Sequence, residues 1–256
     1  MPVSFDLTDR VVLVTGGARG VGDGIVATFL EAGAQVEICG RTEPEKLREA
    51  DGREPRFAQV DVREPEQVRK WLEEIGERHG RLDVVVNNAG GAPFAQFSEA
   101  SPRFHRKINE LNFLAAAYVL HAAHPLLRET PGASAVNVTS ISARRPSPGT
   151  AVYGAAKAAL ESLTTSLAVE WAPRVRVNAV SCGLVETPGS EDHYGDPEQR
   201  DAVARTIPRG QFASPEEVGQ ACLLLASPLA SHVSGAVLNV DGGGEWPAFL
   251  QHTPNA

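Results

Sequence analysis

The segment that decides the fold is VVLVTGGARGVG, residues 11–22. Its first five residues form a continuous apolar run, as expected for a strand buried on both faces of a parallel sheet. A glycine-rich turn follows directly, and a helical pattern begins at Gly20. Glycines let a backbone turn sharply and approach a phosphate, which the amides and dipole of a helix N-terminus attract. The segment therefore predicts a strand–turn–helix unit that binds a dinucleotide.

The rest of the chain repeats this alternation of short β-branched runs with longer helical patterns. Strands are expected at residues 11–15, 35–39, 56–60, 82–86, 135–139, 175–180 and 236–240. Helices are expected near residues 20–32, 64–79, 103–128, 151–171 and 215–226. No linker, repeat or low-complexity stretch interrupts them. The pattern predicts a doubly wound α/β fold with a seven-stranded parallel sheet, built as a single domain over residues 1–256.

Residues 186–211 break the rhythm. They are rich in Gly, Pro, Asp and Glu and stand where a strand should lead directly into a helix. Long insertions inside compact domains are typically functional lids or disordered segments. We expect a substrate loop or lid here, with a variable surface excursion as the alternative.

Composition excludes several classes of partner. The formal net charge of −8 and the absence of a basic run argue against nucleic-acid binding. No stretch approaches the roughly 20 apolar residues that cross a bilayer, and residues 1–10 do not resemble a signal peptide. The three cysteines, Cys39, Cys182 and Cys222, are too scattered to indicate a disulfide framework. We expect a cytoplasmic protein without membrane partners.

No metal site is expected. His121 and His124 could share a helix face, but neither has a carboxylate or cysteine nearby in sequence. Paired histidines of this kind are more often packing or surface residues than ligands.

Tyr153 and Lys157 are four residues apart in a predicted helix, so they share one face. A tyrosine has a reference pKa of about 10, and a neighbouring ammonium favours the phenolate and lowers that value. The pair is therefore a candidate proton donor and acceptor. By itself the spacing also fits a solvated lysine on an ordinary helix.

Further motifs stand in order around this pair. They are the Gly-x-x-x-Gly-x-Gly turn at residues 16–22, Asn-Asn-Ala-Gly at residues 87–90, Ser140 thirteen residues before Tyr153, and Asn-Val-Asp-Gly-Gly at residues 239–243. With these motifs the chain resembles the short-chain dehydrogenase/reductase (SDR) family from about residue 7 to residue 243. The resemblance implies a Rossmann fold with strand order 3-2-1-4-5-6-7.

The resemblance also implies a catalytic set. Ser140 would hold the substrate oxygen, and Tyr153 would exchange a proton with it while a nicotinamide carries hydride to or from the same carbon. Lys157 would lower the tyrosine pKa and hold the nicotinamide ribose. Asn112 matches the family's fourth catalytic residue, which supports a water-linked proton path from the lysine. As asparagine is not a strong helix former, its place in a predicted helix suggests a purpose.

Cofactor contacts follow from the same resemblance, with Asp61 near the adenine and residues 185–187 near the nicotinamide carboxamide. Asp61 could instead cap the helix that follows it. The matching positions are Gly16, Arg19, Gly20, Val21, Gly22, Arg41, Asp61, Val62, Asn88, Ala89, Gly90, Tyr153, Lys157, Val185 and Thr187.

Two arginines favour NADP(H) over NAD(H). An NAD enzyme typically presents a carboxylate to the ribose at the end of the second strand, where this chain has Gly40 followed by Arg41. With Arg19 in the glycine turn, two guanidinium groups would suit a 2′-phosphate. Glu37 and Glu43 lie close in sequence, so NAD(H) stays possible.

The predicted function is an oxidoreductase acting on a secondary alcohol or ketone. A small carbonyl compound and a 3-oxoacyl thioester on acyl carrier protein or coenzyme A both remain candidates. Arg144 and Arg145 could meet an acidic carrier or be ordinary solvated charges. A non-catalytic nucleotide sensor is disfavoured because the catalytic positions are intact.

Two further expectations concern Cys182 and assembly. Relatives carry proline at the position of Cys182, so this residue is either a small buried thiol or an accessible one that makes activity sensitive to alkylation. The family resemblance implies a homotetramer or homodimer, with the alanine-rich helix of residues 151–172 packing against its copy.

Overall fold

A computed structural model describes residues 5–252 of the chain. Those residues contain one seven-stranded sheet with every neighbouring pair parallel, in the order β3-β2-β1-β4-β5-β6-β7. The strands are β1 (Val11–Thr15), β2 (Gln35–Gly40), β3 (Arg56–Gln59), β4 (Val84–Asn87), β5 (Ser134–Ser140), β6 (Arg176–Cys182) and β7 (Val237–Val240). The predicted fold class and strand order are confirmed. Residues 1–4 and 253–256 of the predicted domain lie outside the described residues.

Helices connect the strands, except that β2 leads to β3 without one. They are α1 (Gly20–Glu31), α2 (Pro65–His79), α3 (Pro102–Asn109), α4 (Ala115–Glu129), α5 (Ala151–Glu170), α6 (Glu191–Tyr194), α7 (Pro197–Ala204) and α8 (Pro215–Ala226). Short 3-10 turns occupy Ile141–Ala143, Pro228–Ala230 and Ala248–His252.

One predicted helix differs from the structure. The single helix expected over residues 103–128 is divided into α3 and α4 by a π-helical turn, Glu110–Leu114. The segment of residues 186–211, expected to be a substrate loop or lid, contains α6 and α7. Pro197 begins α7, and Asp196 and Gln199 close a capping box that satisfies the first amides of this helix.

Strand β1 is buried on both faces, as its apolar run predicts. Val12 and Val14 pack in one core cluster with α1 and α8. Val11 and Leu13 pack in a second cluster with α2 and α4. Alternate residues of a strand point to opposite faces of the sheet, so β1 contributes side chains to both core clusters. This packing on both faces holds the carboxyl end of β1, where the glycine turn begins, in a fixed position.

Helices α1 and α8 meet at two glycines. A Cβ atom at Gly24 would lie 2.4 Å from the Pro215 Cβ, and one at Gly219 would lie 2.3 Å from the Thr28 Oγ1. The Thr28 hydroxyl donates to the Gly24 carbonyl at 2.9 Å. Only glycine allows the two helix backbones to approach this closely. The contact with α8 fixes the position of α1, and with it the position of the glycine turn that precedes α1.

We expect Gly24→Ala to lower the free energy of unfolding by about 1–3 kcal/mol, because the added methyl overpacks the contact with α8. Urea unfolding followed by circular dichroism measures the change. Gly76→Ala is the matched helical control, since a Cβ there would meet only the flexible end of Leu126, at 3.1 Å. It should be neutral or stabilising, and equal losses in the two variants would contradict the packing argument.

Candidate active site

The glycine turn is shaped to lie under a phosphate. Gly16 and Gly20 have φ of +65° and +55°, a region that side chains strain to adopt, and a Cβ at Gly16 would lie 3.2 Å from the Ala89 Cα. Arg19 precedes α1 without a side-chain cap. The first amides of this helix are therefore left available to an anion, as a pyrophosphate site requires.

Residues 88–89 brace the turn from the neighbouring strand. The amides of Asn88 and Ala89 both donate to the Thr15 Oγ1, each at 3.0 Å. The Asn88 Nδ2 donates to the Thr15 and Gly16 carbonyls at 3.0 and 3.2 Å. Thr15 was not among the predicted site residues. The signal for its role is a hydroxyl residue directly before the glycines, opposite the Asn-Asn-Ala-Gly motif.

Thr187 closes the other side of the turn. A Cβ at Gly20 would lie 3.7 Å from the Thr187 Cγ2, so the loop after β6 reaches the start of α1. Ser190, which is 3% exposed, holds this loop: its Oγ accepts from the Thr187 amide at 2.7 Å and donates to the Thr187 carbonyl at 2.6 Å. Val185 is anchored by a parallel bridge to Ala213. The contribution of Ser190 was not predicted.

Ser140 and Tyr153 lie side by side at the carboxyl end of β5. The Ser140 Oγ accepts from the Ser142 amide at 3.2 Å, which caps the 3-10 turn Ile141–Ala143. The Ser140 side chain lies close enough to the Tyr153 hydroxyl to lower the pKa of that phenol. The structure thus brings these two site residues together.

Lys157 is 3% exposed, and its Nζ donates to the Val138 carbonyl at 2.9 Å. This nitrogen is 5.8 Å from the centroid of the Tyr153 ring. Burial lowers the pKa of Lys157 to about 8, because a cation loses its hydration there. A solvated lysine, the alternative interpretation of the spacing, is excluded.

The pKa of Tyr153 does not follow the expectation. Burial raises it to about 12, and the neighbouring Ser140 side chain offsets only part of that rise. Lys157 was expected to lower this pKa, but the charges that act on Tyr153 are those of Cys182 and Tyr194, and both raise it. The net shift is therefore opposite to the expected one, because desolvation of the phenol dominates.

Asn112 lies in the π-helical turn and is 1% exposed. Its Oδ1 accepts from the Gly91 amide at 2.8 Å, and its Nδ2 donates to the carbonyls of Gly91 and Ile108, both at 2.9 Å. A Cβ at Gly90 would lie 2.8 Å from this Oδ1 and 3.2 Å from the Lys157 Nζ. Asn112 therefore clamps the Asn-Asn-Ala-Gly segment beside the lysine.

The two predicted arginines lie in different turns. Gly40 ends β2 and Arg41 follows it, whereas Arg19 lies in the glycine turn before α1; both side chains are exposed. Glu37 is 2% exposed and engaged elsewhere: its Oε1 accepts from the Arg78 Nη1 at 2.6 Å and contacts the His79 Nε2 at 2.8 Å. This buried carboxylate is therefore committed to α2.

Asp61 pairs with a neighbour. The Arg63 Nε and Nη2 donate to its carboxylate at 2.9 and 2.5 Å, and these contacts hold the pKa of Asp61 below its usual value. Val62 is buried in the core. Glu64, not Asp61, is the residue that precedes α2 as its N-cap, so the alternative of Asp61 as a helix cap is wrong.

Arg144, Arg145 and Cys182 are less accessible to a ligand or reagent than the sequence analysis allowed. The Arg144 Nε is 3.0 Å from the Glu161 Oε2, and the Arg145 Nη2 is 3.2 Å from the Glu245 Oε1. Cys182 is buried, and burial raises its thiol pKa to about 12. The hypothesis of an accessible, reactive Cys182 is wrong; it fills space in the core.

Across the described part of the chain, no group of three or more His, Cys, Asp or Glu residues could hold a metal ion. The rings of His124 and Trp171 pack with centroids 4.6 Å apart, which gives this histidine a packing role. Within residues 5–252, no helix combines the length and apolar character needed to span a membrane.

Residues 16–245 match the family model adh_short_C2, which is described as enoyl-(acyl carrier protein) reductase. An uncharacterized oxidoreductase of Mycobacterium tuberculosis is 35% identical over 95% of both chains. The 3-oxoacyl-(acyl-carrier-protein) reductase of Chlamydia muridarum is 33% identical, over 93% of this chain and 98% of its own.

Solved structures agree with these sequence matches. Ligand-free aldohexose dehydrogenase of Thermoplasma acidophilum superposes with a TM-score of 0.88 at 31% identity, over 94% of this chain and 96% of its own. The matched residues include the glycine turn, the Asn-Asn-Ala-Gly motif and Asn112. They also include Ser140, Tyr153 and Lys157. The chain is an oxidoreductase-type protein that belongs to the short-chain dehydrogenase/reductase family, whose members use NAD(P)(H).

Proposed function

We propose that the chain is an NADP(H)-dependent oxidoreductase that transfers hydride between the nicotinamide and a secondary alcohol or ketone. One observation carries the proposal: Ser140, Tyr153 and Lys157 adjoin one another, and Lys157 and Asn112 both adjoin Gly90, within a site that the glycine turn also borders. The glycine turn and the uncapped start of α1 fit a dinucleotide pyrophosphate. No other set of described residues combines these features.

Each residue has a defined task in this mechanism. The bound nicotinamide supplies the hydride chemistry. Ser140 donates a hydrogen bond to the substrate oxygen, and Tyr153 gives a proton to that oxygen in reduction or takes it in oxidation. Lys157, held by the Val138 carbonyl, uses its remaining N–H groups for the nicotinamide ribose. Asn112 keeps residues 90–91 in place and supports the proton path from the lysine.

The adenosine end favours NADP(H). Arg19 and Arg41 are exposed, and neither forms an ion pair with a carboxylate among the described side chains, although the charge of Arg41 acts on Asp61. The buried carboxylate of β2, Glu37, is committed to Arg78 and His79. Two exposed guanidinium groups, one following β2 and one in the glycine turn, suit a 2′-phosphate better than an uncharged hydroxyl. NAD(H) remains the alternative cofactor.

The substrate is proposed to be a small carbonyl compound. A phosphate-bearing or acidic carrier would need free cations at the mouth of the site, whereas Arg144 and Arg145 are paired with Glu161 and Glu245. Reduction of a 3-oxoacyl thioester is retained as a second candidate, because the Chlamydia muridarum relative bears that name.

Residues 186–211 are proposed to form the substrate lid. Tyr194 lies close enough to Tyr153 to contribute to the raised pKa of that residue, and its ring packs 4.9 Å from the ring of Phe212. Glu186 and Arg200 form an ion pair across the segment. A cavity of about 460 Å³ lined by Glu186, Arg200 and Phe212 lies within the segment and its continuation, which leaves room for the segment to change its packing around a ligand.

Self-association is proposed through α5. Ala151, Ala155 and Val169 are exposed on this helix, while Ala156 and Leu160 are buried against the sheet. The two sets occupy different faces, so packing on the sheet leaves a face of small residues open to a second copy. A homotetramer or homodimer is the proposed assembly.

Tyr153→Phe should lower kcat for ketone reduction by about a hundredfold or more, because it removes the proton donor. NADPH oxidation with a panel of ketones and acyl thioesters measures this loss, and NADPH fluorescence measures cofactor binding, which should be unchanged. Tyr118→Phe is the matched control and should retain full activity. A Tyr153→Phe variant with normal turnover would refute the mechanism.

Arg19→Ala and Arg41→Ala should each raise the KM for NADPH about tenfold to a hundredfold, since a charge-assisted hydrogen bond contributes about 1.5–3 kcal/mol. The KM for NADH should change little, because it has no 2′-phosphate. Steady-state kinetics with both cofactors decide the question. Arg128→Ala, at the far end of α4, is the control. Equal effects on the two cofactors would contradict the NADP(H) assignment.

Stability should depend on pH through Lys157. Its pKa is about 8 in the folded protein against 10.5 for the free side chain. Between those values the unfolded chain binds a proton that the folded protein has released, so the free energy of unfolding rises with pH. Wild type should therefore gain stability relative to Lys157→Met from pH 8 to pH 10.5. Urea unfolding of both proteins across this pH range tests the prediction. Parallel pH profiles of the free energy of unfolding would contradict the lowered pKa of Lys157.

A further inference from the structure

Glu161 lies on α5 one turn beyond Lys157, with its side chain 13% exposed. It is too far along the helix to belong to the Tyr–Lys motif. Its carboxylate instead reaches across to the end of β5 and the turn after it, where two donors meet it. A helical glutamate held in this way, next to a reaction centre, calls for an explanation beyond solubility.

The two carboxylate oxygens have separate partners. The Thr139 Oγ1 donates to the Glu161 Oε1 at 3.0 Å, and the Arg144 Nε donates to the Glu161 Oε2 at 3.0 Å. The Arg144 Nη1 also donates to the Asn239 Oδ1 at 3.2 Å. Glu161 therefore joins α5, the end of β5, the following turn and β7 in one hydrogen-bonded network.

This network brackets Ser140. Thr139 is the residue immediately before the serine, and Arg144 follows the 3-10 turn Ile141–Ala143 that the serine caps. Both ends of the short segment that presents the Ser140 hydroxyl are thus bonded to one side chain of α5. The same helix carries Tyr153, so Glu161 ties the serine segment to the tyrosine's own scaffold.

A second contact fixes the near end of the same helix. A Cβ at Gly154 would lie 2.6 Å from the Ser142 carbonyl oxygen, so the backbones of α5 and the 3-10 turn touch beside Tyr153. Two attachment points, at Gly154 and at Glu161, define the orientation of a helix against a turn better than either alone. The separation of the Ser140 and Tyr153 hydroxyls depends on that orientation.

We propose that Glu161 is a positioning residue that sets the Ser140 hydroxyl against the Tyr153 hydroxyl, acting through Thr139 and Arg144. The inference rests on the proposed function, in which both hydroxyls contact one substrate oxygen. A carboxylate suits the task because it accepts two hydrogen bonds in different directions and forms a charge-assisted one with the guanidinium. Losing it leaves the buried Thr139 hydroxyl with only a 3.4 Å contact to the Val180 carbonyl.

The central experiment combines Glu161→Ala with Ser140→Ala. Glu161→Ala alone should lower kcat about tenfold to a hundredfold, the size expected for a small misplacement of reacting groups. The NADPH dissociation constant should be unchanged. In the Ser140→Ala background, adding Glu161→Ala should lower kcat no further, because the serine through which it acts is gone. A merely structural role would give losses that multiply.

Two more variants complete the design. Glu161→Gln keeps the shape and one acceptor, so its kcat should lie between those of wild type and Glu161→Ala; it also serves if the alanine variant fails to fold. Glu73→Ala is the matched control, because Glu73 is also a helical glutamate paired with an arginine, Arg69, at 2.6 Å. Its kcat should equal that of wild type.

An unchanged kcat in the Glu161 variants would overturn the inference, as would an equal loss with and without Ser140. The Tyr153→Phe variant tests the proposed function separately. When that variant is inactive and Glu161→Ala is fully active, the inference fails and the proposed function stands. When Tyr153→Phe is fully active, the proposed function fails and the inference with it.

Discussion

The hydroxyl of Thr15 accepts hydrogen bonds from two successive backbone amides, those of Asn88 and Ala89, and the site depends on this junction. It joins the turn after β1 to the turn after β4, two neighbouring strands whose carboxyl ends meet at one edge of the sheet. In an open parallel sheet, ligands bind at such an edge, in the crevice beyond the strands. With that crevice defined, α1 supplies amides from one side, while β5 and α5 supply hydroxyls and the amine from the other.

Burial sets the chemistry on the α5 side of the crevice. It lowers the pKa of Lys157 to about 8 and raises that of Tyr153 to about 12. Both shifts favour the uncharged form of the group, as expected where water is scarce. A raised pKa makes the Tyr153 phenol a weaker acid, so burial by itself opposes proton release from this residue. The adjacent Ser140 moderates the tyrosine shift, which is a second reason for holding those two hydroxyls in register.

Local sequence patterns predicted the elements and failed at contacts between distant residues. Val11 to Thr15 and the glycines after it carry their structure in their own spacing, and the period of four between Tyr153 and Lys157 places both on one face. Nothing near Glu37 in sequence indicates that Arg78 and His79, some forty residues later, neutralise it. The partners of Arg144 and the burial of Cys182 likewise follow only from how strands and helices pack. An asparagine within a predicted helix indicated that Asn112 has a special role. It did not indicate the π-helical turn, Glu110–Leu114, in which the residue lies.

That wider turn, Glu110–Leu114, has a consequence for how the chain can vary. Deleting one residue there would restore an ordinary α-helical ladder between α3 and α4. Because the wider turn takes up one extra residue, α4 would keep its facing after such a deletion, with Val119, Leu120 and Ala123 still buried against the sheet. The loss would fall on Asn112, whose side chain lies in that turn and holds Gly91. The wider turn therefore places an additional residue beside Lys157 without disturbing the packing of α4 on the sheet.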